Sequence, residues 1–259
     1  MLRSRITPCL LVHKKGLVKT TNFKDPKYVG DPLNAVKIFN EKEVDELIVL
    51  DIDATVEGRG PDFDLIRNLA VECRMPFCYG GGVTTVEQAK QIISLGAEKV
   101  AISSAAIYNT QILKQIGNAV GVQSVVVVLD VRKKKIFGGY ELVTHNGKKA
   151  APIKLQELLD QLTSIGVGEI VVNSVDHDGK MDGFDFKLFD LVRDMTDMPL
   201  TILGGAGKID DIRDAIVRYG TIGVSAGSLF VFKGKYRAVL ISYPSLDERK
   251  ELYQINKNK

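Results

Sequence analysis

Short runs of Val, Ile and Leu alternate along the chain with longer stretches in which apolar residues recur every three or four positions. The runs are Ile6–Val12, Glu46–Asp51, Pro76–Tyr79, Lys99–Ser103, Val125–Asp130, Glu169–Ser174, Leu200–Leu203 and Gly223–Ala226. They show little strict alternation, as parallel strands covered on both faces should. The stretches between them read as helices. Leu155, Leu158, Leu159 and Leu162 fall at i, i+3, i+4 and i+7 and form one apolar stripe. Thr85-Val-Glu-Gln88 has the form of a capping box, with Gly96 suited to the position just past that helix. Asp31-Pro32 opens another helix, with proline where a missing N–H costs nothing.

Eight strand-then-helix units in 259 residues predict an α/β fold, a single (β/α)8 TIM barrel over residues 1–259. A doubly wound open sheet is the competing arrangement of such units. An internal repeat favours the barrel. Gly80-Gly-Gly-Val83 follows the third run and Gly204-Gly-Ala-Gly207 the seventh, from 80 to 204, a shift of 124. Leu50-Asp-Ile-Asp53 and Val175-Asp-His-Asp178 lie from 50 to 175, a shift of 125, and Ser103-Ser104 and Gly227-Ser228 from 103 to 227, again 124. Two half-barrels of four units each produce that pattern.

Composition narrows the class. Hydrophobic residues make up 45% and charged residues 26%, which excludes a disordered or collagen-like chain. Cys9, Cys73 and Cys78 are too few and too scattered for a disulfide framework, and none stands at CxxC spacing for zinc. The net charge is +3, and the excess sits in Arg132–Lys135, Lys148–Lys149 and Lys257–Lys259, runs that read as solvated segments rather than a nucleic-acid groove. Pro8 to Val12 is too short for a signal peptide or a membrane span. The expectation is a soluble, cytoplasmic protein with neither nucleic acid nor membrane as partner.

Chemistry enters through the residues that end the runs. Glycine clusters past a strand let backbone N–H groups converge on a phosphate. Two clusters half a barrel apart imply a small ligand phosphorylated at both ends. Asp51, Asp130 and Asp176 close apolar runs at the rim where barrel chemistry occurs, and each is a candidate general acid or base. At the opposite rim Arg5, Glu46, Lys99 and Glu169 start strands. Parity puts Glu46 on one face with Ile48 and Leu50, and Lys99 with Ala101 and Ser103. If that face is inward, four charges plug the barrel floor, and desolvating them is harder to explain by stability than by a gate.

Other motifs fail. Asp176-His-Asp-Gly-Lys-Met-Asp182 starts like a calcium loop, but glycine stands fourth and Lys187 occupies the twelfth position, where glutamate is needed. His13, His145 and His177 have no metal-ligand spacing and read as loop residues, and Cys9 reads as a small buried apolar group. No G-x-G-x-x-G follows the first strand. No metal or cofactor is expected.

Over nearly its whole length the chain resembles HisF, the cyclase subunit of imidazole glycerol phosphate synthase. The matching segments include Arg5-Ile-Thr-Pro-Cys-Leu10, Thr21-Asn22-Phe23, Gly30-Asp31-Pro32, Gly80-Gly-Gly82, Gly147-Lys-Lys149, Asp176-His-Asp-Gly179 and Gly204-Gly-Ala-Gly-Lys208. The resemblance implies a HisH-like glutaminase docked on the barrel floor. Its ammonia would pass a gate of Arg5, Glu46, Lys99 and Glu169. Gly82, Ser103 and Ser104 would hold one phosphate, and Asp178, Gly179, Gly205, Gly227 and Ser228 the other. Lys19, on a long first loop, and Asp130 would be catalytic.

The departures from that family carry the functional reading. Family cyclases use two aspartates, one ending the first strand and one the fifth; Asp130 is the second, but Leu11 stands in the place of the first. Leu203 replaces a small polar residue, and Ser103-Ser104 replaces an Asn-Thr pair. Together with the ending Tyr236-Arg-Ala-Val-Leu-Ile-Ser-Tyr-Pro244, this resembles a second HisF-like group associated with surface-polysaccharide genes. Its members work with a glutaminase and a sugar amidotransferase, supplying ammonia that converts an N-acetyl sugar to an acetamidino sugar. That is the expected role. The alternatives are an ordinary cyclase, turning the bisphosphate PRFAR and ammonia into imidazole glycerol phosphate and AICAR, and a non-catalytic scaffold that binds a phosphorylated ligand.

Overall fold

All eight apolar runs are strands in the computed structural model, which describes residues 3–136 and 138–255. The Lys257–Lys259 run lies outside the described residues. The strands are β1 (Arg5–His13), β2 (Leu47–Asp51), β3 (Phe77–Gly80), β4 (Lys99–Ile102), β5 (Val125–Lys133), β6 (Glu169–Ser174), β7 (Leu200–Leu203) and β8 (Gly223–Ala226). Each pairs in parallel with the next, and β8 pairs back onto β1, so the sheet closes as a barrel rather than an open doubly wound sheet.

The outer helices are α1 (Pro32–Glu41), α2 (Phe63–Glu72), α3 (Val86–Ser94), α4 (Gln111–Val120), α5 (Leu155–Ile165), α6 (Phe186–Met195), α7 (Ile209–Tyr219) and α8 (Leu246–Gln254). Their ends follow local chemistry. Asp31 caps α1 by accepting from Asn34 N–H, with Pro32 in the first turn. Both halves of the Thr85–Gln88 capping box are formed on α3. The leucine stripe of α5 is buried against the sheet. Among the described residues no helix is long and apolar enough to cross a membrane.

Two connections differ from the sequence expectation. The long first loop is a β-hairpin: Gly16–Thr21 runs back antiparallel to β1, and Lys24–Gly30 pairs with it. His13 therefore ends a strand instead of lying in a loop. The chain reverses at Lys14 and Lys15, at φ +48° and +65°, the left-handed pair that a tight hairpin turn requires. The fifth strand runs on past Asp130 to Lys133, because Tyr140–Thr144 pairs with it and Lys149–Ala150 pairs with that strand in turn. The run Lys148–Lys149 thus adjoins a hairpin tip.

Parity divides the core into two shells. Ile6, Leu10, Val49, Val100, Val127 and Val224 point outward into the layer between sheet and helices. Cys9, Ile48, Cys78, Ala101, Val126, Val128, Val171 and Leu203 point inward and fill the bore, with Leu11 and Leu50 partly buried above them. A barrel interior filled by layers of side chains is the usual solution for this fold. Here those layers are apolar in the middle and polar at both ends.

Candidate active site

The C-terminal ends of the strands open into a cavity of about 440 Å³. Leu11, Lys19, Gly82, Ser103, Ser104, Asp130, Asp178, Gly227 and Ser228 all line it, so most of the residues expected at the site do meet there. Gly179 and Gly205 are absent from its walls. Gly179 packs beneath the Thr20 carbonyl, and the Gly205 carbonyl accepts a hydrogen bond from Gly183 N–H at 2.9 Å.

The cavity has a short helix on each side and a glycine turn on one of them. On one side Gly82 has φ +72°, and a Cβ there would stand 2.5 Å from the Arg59 carbonyl, so only glycine lets the two loops close. The helix Ser104–Tyr108 begins beside it, with Ser103 at its N-cap making no side-chain capping bond. On the other side the helix Ser228–Val231 begins at Gly227, also without a side-chain cap. Both helices thus open at the cavity with first-turn N–H groups that no side chain caps.

Asp130 stands at the centre. Burial pushes its carboxyl up to about 7, the nearby Asp178 adds to the rise, and a 3.0 Å hydrogen bond from Asn173 Nδ2 partly offsets both. An acid that titrates near neutrality can both give and take a proton. Asp178 is also raised by burial, while the Thr20 hydroxyl, donating at 2.9 Å, and the Lys19 charge pull it back. Lys19 reaches in from the first hairpin, donates to the Cys9 carbonyl and abuts Gly227; burial lowers its pKa. Burial pushes the Cys9 thiol up to about 11, so it stays protonated, as a packing residue would.

The other strand-end acids are held by their neighbours. Asp51 is clamped by Arg59, whose Nη1 and Nη2 donate to it at 2.8 and 3.0 Å, and it also accepts from the N–H groups of Asp53 and Ala54. Asp176 accepts from Lys133 N–H at 2.6 Å and does not line the cavity. Leu11, Leu50 and Leu203 present only hydrocarbon to it.

Three cavity residues escaped sequence reasoning. Asn173 shares the inward face of β6 with Glu169 and Val171, so parity alone could have found it. Arg59 lies eight residues after Asp51 on a loop, and nothing in the pattern predicts its clamp. His145, expected in an inert loop, sits at the tip of the β5 hairpin and lines the cavity. Its Nδ1 lies 3.0 Å from Thr144 Oγ1, and burial with the Lys149 charge lowers its pKa. Asn146 beside it donates to the Ile52 carbonyl at 2.9 Å, tying the hairpin to the loop after β2.

At the floor the four expected charges meet in a closed ring of alternating sign. Arg5 Nη2 lies 2.7 Å from Glu169 Oε1, and its Nε lies 3.5 Å from Glu46 Oε2. Lys99 Nζ lies 2.6 Å from Glu46 Oε1 and 2.9 Å from Glu169 Oε2. Both carboxylates are buried. Above the ring comes the apolar bore, and above the bore Asp130. Among the described residues no cluster of three or more His, Cys, Asp or Glu could hold a metal ion.

Comparison with known proteins bears on this arrangement. The profile of the family described as "Histidine biosynthesis protein" matches residues 5–237. The chain is 53% identical to a protein of Vibrio vulnificus provisionally named imidazole glycerol phosphate synthase subunit hisF3, over 98% of each chain. It is 49% identical to the provisionally named subunit hisF2 of Pseudomonas aeruginosa, over 96% of this chain and 98% of that one. Identity to the imidazole glycerol phosphate synthase subunit HisF of Corynebacterium urealyticum is 38%, over 88% of this chain and 90% of that one.

Proposed function

The chain belongs to the histidine biosynthesis protein family, and from that premise we propose that it is a HisF-like synthase subunit that passes ammonia on instead of closing an imidazole ring. A HisH-like glutaminase docks on the floor, and ammonia crosses the ion ring and the bore. It leaves at the mouth for a sugar amidotransferase, which converts an N-acetyl sugar to its acetamidino form in polysaccharide biosynthesis. One observation carries this reading: the apolar Leu11 stands where ring closure needs a second carboxylate, above an intact ring of Arg5, Glu46, Lys99 and Glu169. Leucine cannot transfer a proton, and losing a positioned acid or base costs about 10²–10⁴-fold in rate. The higher identity to numbered, provisionally named subunits than to the plainly named one suits a paralogue.

On this reading the Gly82 turn on one side and Gly227 on the other keep a phosphorylated ligand in the cavity, with Ser103, Ser104 and Ser228 supplying hydroxyls and the two short helices supplying N–H groups. A second reading, authentic cyclase activity, draws on the fact that Asp178 and His145 share the cavity with Asp130 and could divide the work of the missing aspartate.

The deciding experiment measures ammonium-dependent turnover of the histidine-pathway bisphosphate by the wild type and by Leu11→Asp. The proposal expects no wild-type turnover, partial gain in Leu11→Asp, and stimulation of a co-purified glutaminase by the wild type. Robust wild-type turnover makes the protein a cyclase. Failure to stimulate the glutaminase removes the conduit.

A further inference from the structure

The floor ring has a fifth member that its charge pattern does not announce. Thr201 lies on β7 beside Glu169 on β6; its side chain points inward at the level of the ring, and it is 1% exposed. Its hydroxyl donates to Glu169 Oε1, the same oxygen that Arg5 Nη2 approaches at 2.7 Å. The next strand makes this possible. Gly223 on β8 is the register partner of both Thr201 and Arg5, and a Cβ on Gly223 would overlap the Thr201 hydroxyl. The missing side chain on β8 is therefore the space that the hydroxyl occupies.

The consequence is an asymmetric ring. Glu169 has three donors, Arg5, Lys99 and Thr201. Glu46 has a close contact with Lys99 but only a 3.5 Å approach from Arg5, the longest of the four ion pairs. We propose that Thr201, in the space left by Gly223, is a positioning residue that fixes Glu169 as the anchored side of the floor ring and leaves Glu46 as its exchangeable side. The opposite displacements of the two carboxyls agree. Burial raises Glu46 despite Lys99 and Arg5, whereas at Glu169 the same burial is outweighed by Arg5, Lys99 and the Thr201 hydrogen bond. A gate built this way opens along its Arg5–Glu46 edge; that consequence, though not the anchoring itself, rests on the conduit reading.

The groups facing Glu169 are Arg5 on β1, Glu46 before β2, Lys99 on β4 and Thr201 on β7, with the Cys78 thiol above them on β3. The test is a carbon-13 titration of the glutamate side-chain carboxyls in the full chain, with Glu46→Gln and Glu169→Gln for assignment. Thr201→Val keeps the shape and removes the donor. A hydrogen bond to an ionised group corresponds to about one pH unit, so Thr201→Val raises the Glu169 midpoint by about that much. Thr201→Ser restores it, and Glu46 moves by less than half as much in either variant. Gly223→Ala, which displaces the hydroxyl without deleting it, gives the same displacement as Thr201→Val. A Glu169 midpoint unmoved by Thr201→Val, or a serine variant that behaves like valine, overturns the assignment. No step of this measurement uses ammonia, so it stands or falls independently of what the barrel conducts.

Discussion

Replacing Lys99 by methionine keeps an unbranched side chain, one atom shorter, and takes one positive charge out of the floor ring. The lysine ammonium bridges two buried carboxylates, at 2.6 Å from Glu46 and 2.9 Å from Glu169, and Arg5 is their only other cation in the ring. Stranding a buried charge costs about 3–5 kcal/mol while it remains ionised. Binding a proton is the less costly escape. From the ordinary glutamate value of 4.5, keeping one carboxyl neutral costs about 3.4 kcal/mol at pH 7 and about 0.7 kcal/mol at pH 5. Glu46 takes that proton, since burial already holds it above its ordinary value with Lys99 present, whereas Glu169 lies below. An acid whose folded-state pKa is raised binds more protons folded than unfolded, so the variant recovers relative to the wild type as pH falls from 7 toward the unfolded value. Urea denaturation followed by circular dichroism should find Lys99→Met weaker by about 3 kcal/mol at pH 7 and by less than about 1 kcal/mol at pH 5. A penalty that is constant across that range, or that grows toward acid, would show that the ring does not strand Glu46.

Two further variants probe the mouth. Burial lifts Asp130 from 3.8 to about 7, so its charge destabilises the fold increasingly as pH rises through that interval. Asp130→Asn keeps an acceptor for Asn173 and should be more stable than wild type by about 1–3 kcal/mol at pH 8, with no gain at pH 4; an equal gain at both would refute the burial argument. Arg59→Met strands Asp51, but the guanidinium is partly exposed, so the loss is about 1–3 kcal/mol. Adding Asp51→Asn should recover at least half of it in thermal denaturation, and strict additivity would mean that the clamp carries no coupling.

The barrel was readable because its strands are covered on both faces, which leaves apolar runs too short for helices and too uniform for half-exposed strands. The floor ring was readable for a related reason: parity from Ile48 and Ala101 places Glu46 and Lys99 on the inward face once closure is assumed. The hairpin after β1 was not readable. Its turn uses Lys14 and Lys15 at positive φ, residue types that carry no turn signal and are held there by the pairing of the flanking strands. The β5 hairpin did carry one in Asn146-Gly147, but the lysines beside it read as a solvated loop, and His145 read as part of that loop. Among the strand-end acids, the long apolar run before Asp130 and the family resemblance favour it over Asp51, but neither gives the physical difference. The difference is a guanidinium delivered by the loop after β2, and only the folded loop shows which acid it reaches.

On the conduit reading Leu11 has a second effect besides presenting no carboxylate. Ammonia on that reading passes between the packed bore side chains Cys9, Ile48, Cys78, Ala101, Val126, Val128 and Val171. That apolar passage disfavours ammonium, whose desolvation costs several kcal/mol, far more than it disfavours neutral ammonia. An aspartate at position 11 would end that passage one layer earlier and offer a carboxylate on which ammonia could be protonated. Leu11, Leu50 and Leu203 instead extend hydrocarbon up to the level of Asp130. A cyclase has to capture ammonia at the mouth and use it there, whereas a conduit has to let it leave uncharged. On the conduit reading Leu11 therefore lengthens the neutral path as well as presenting no acid. Leu11→Asp should both raise ring-closing activity and lower delivery of ammonia to an acceptor outside the barrel. If delivery is unchanged while ring closure appears, the hydrocarbon at position 11 has no part in transport, and only its catalytic meaning remains.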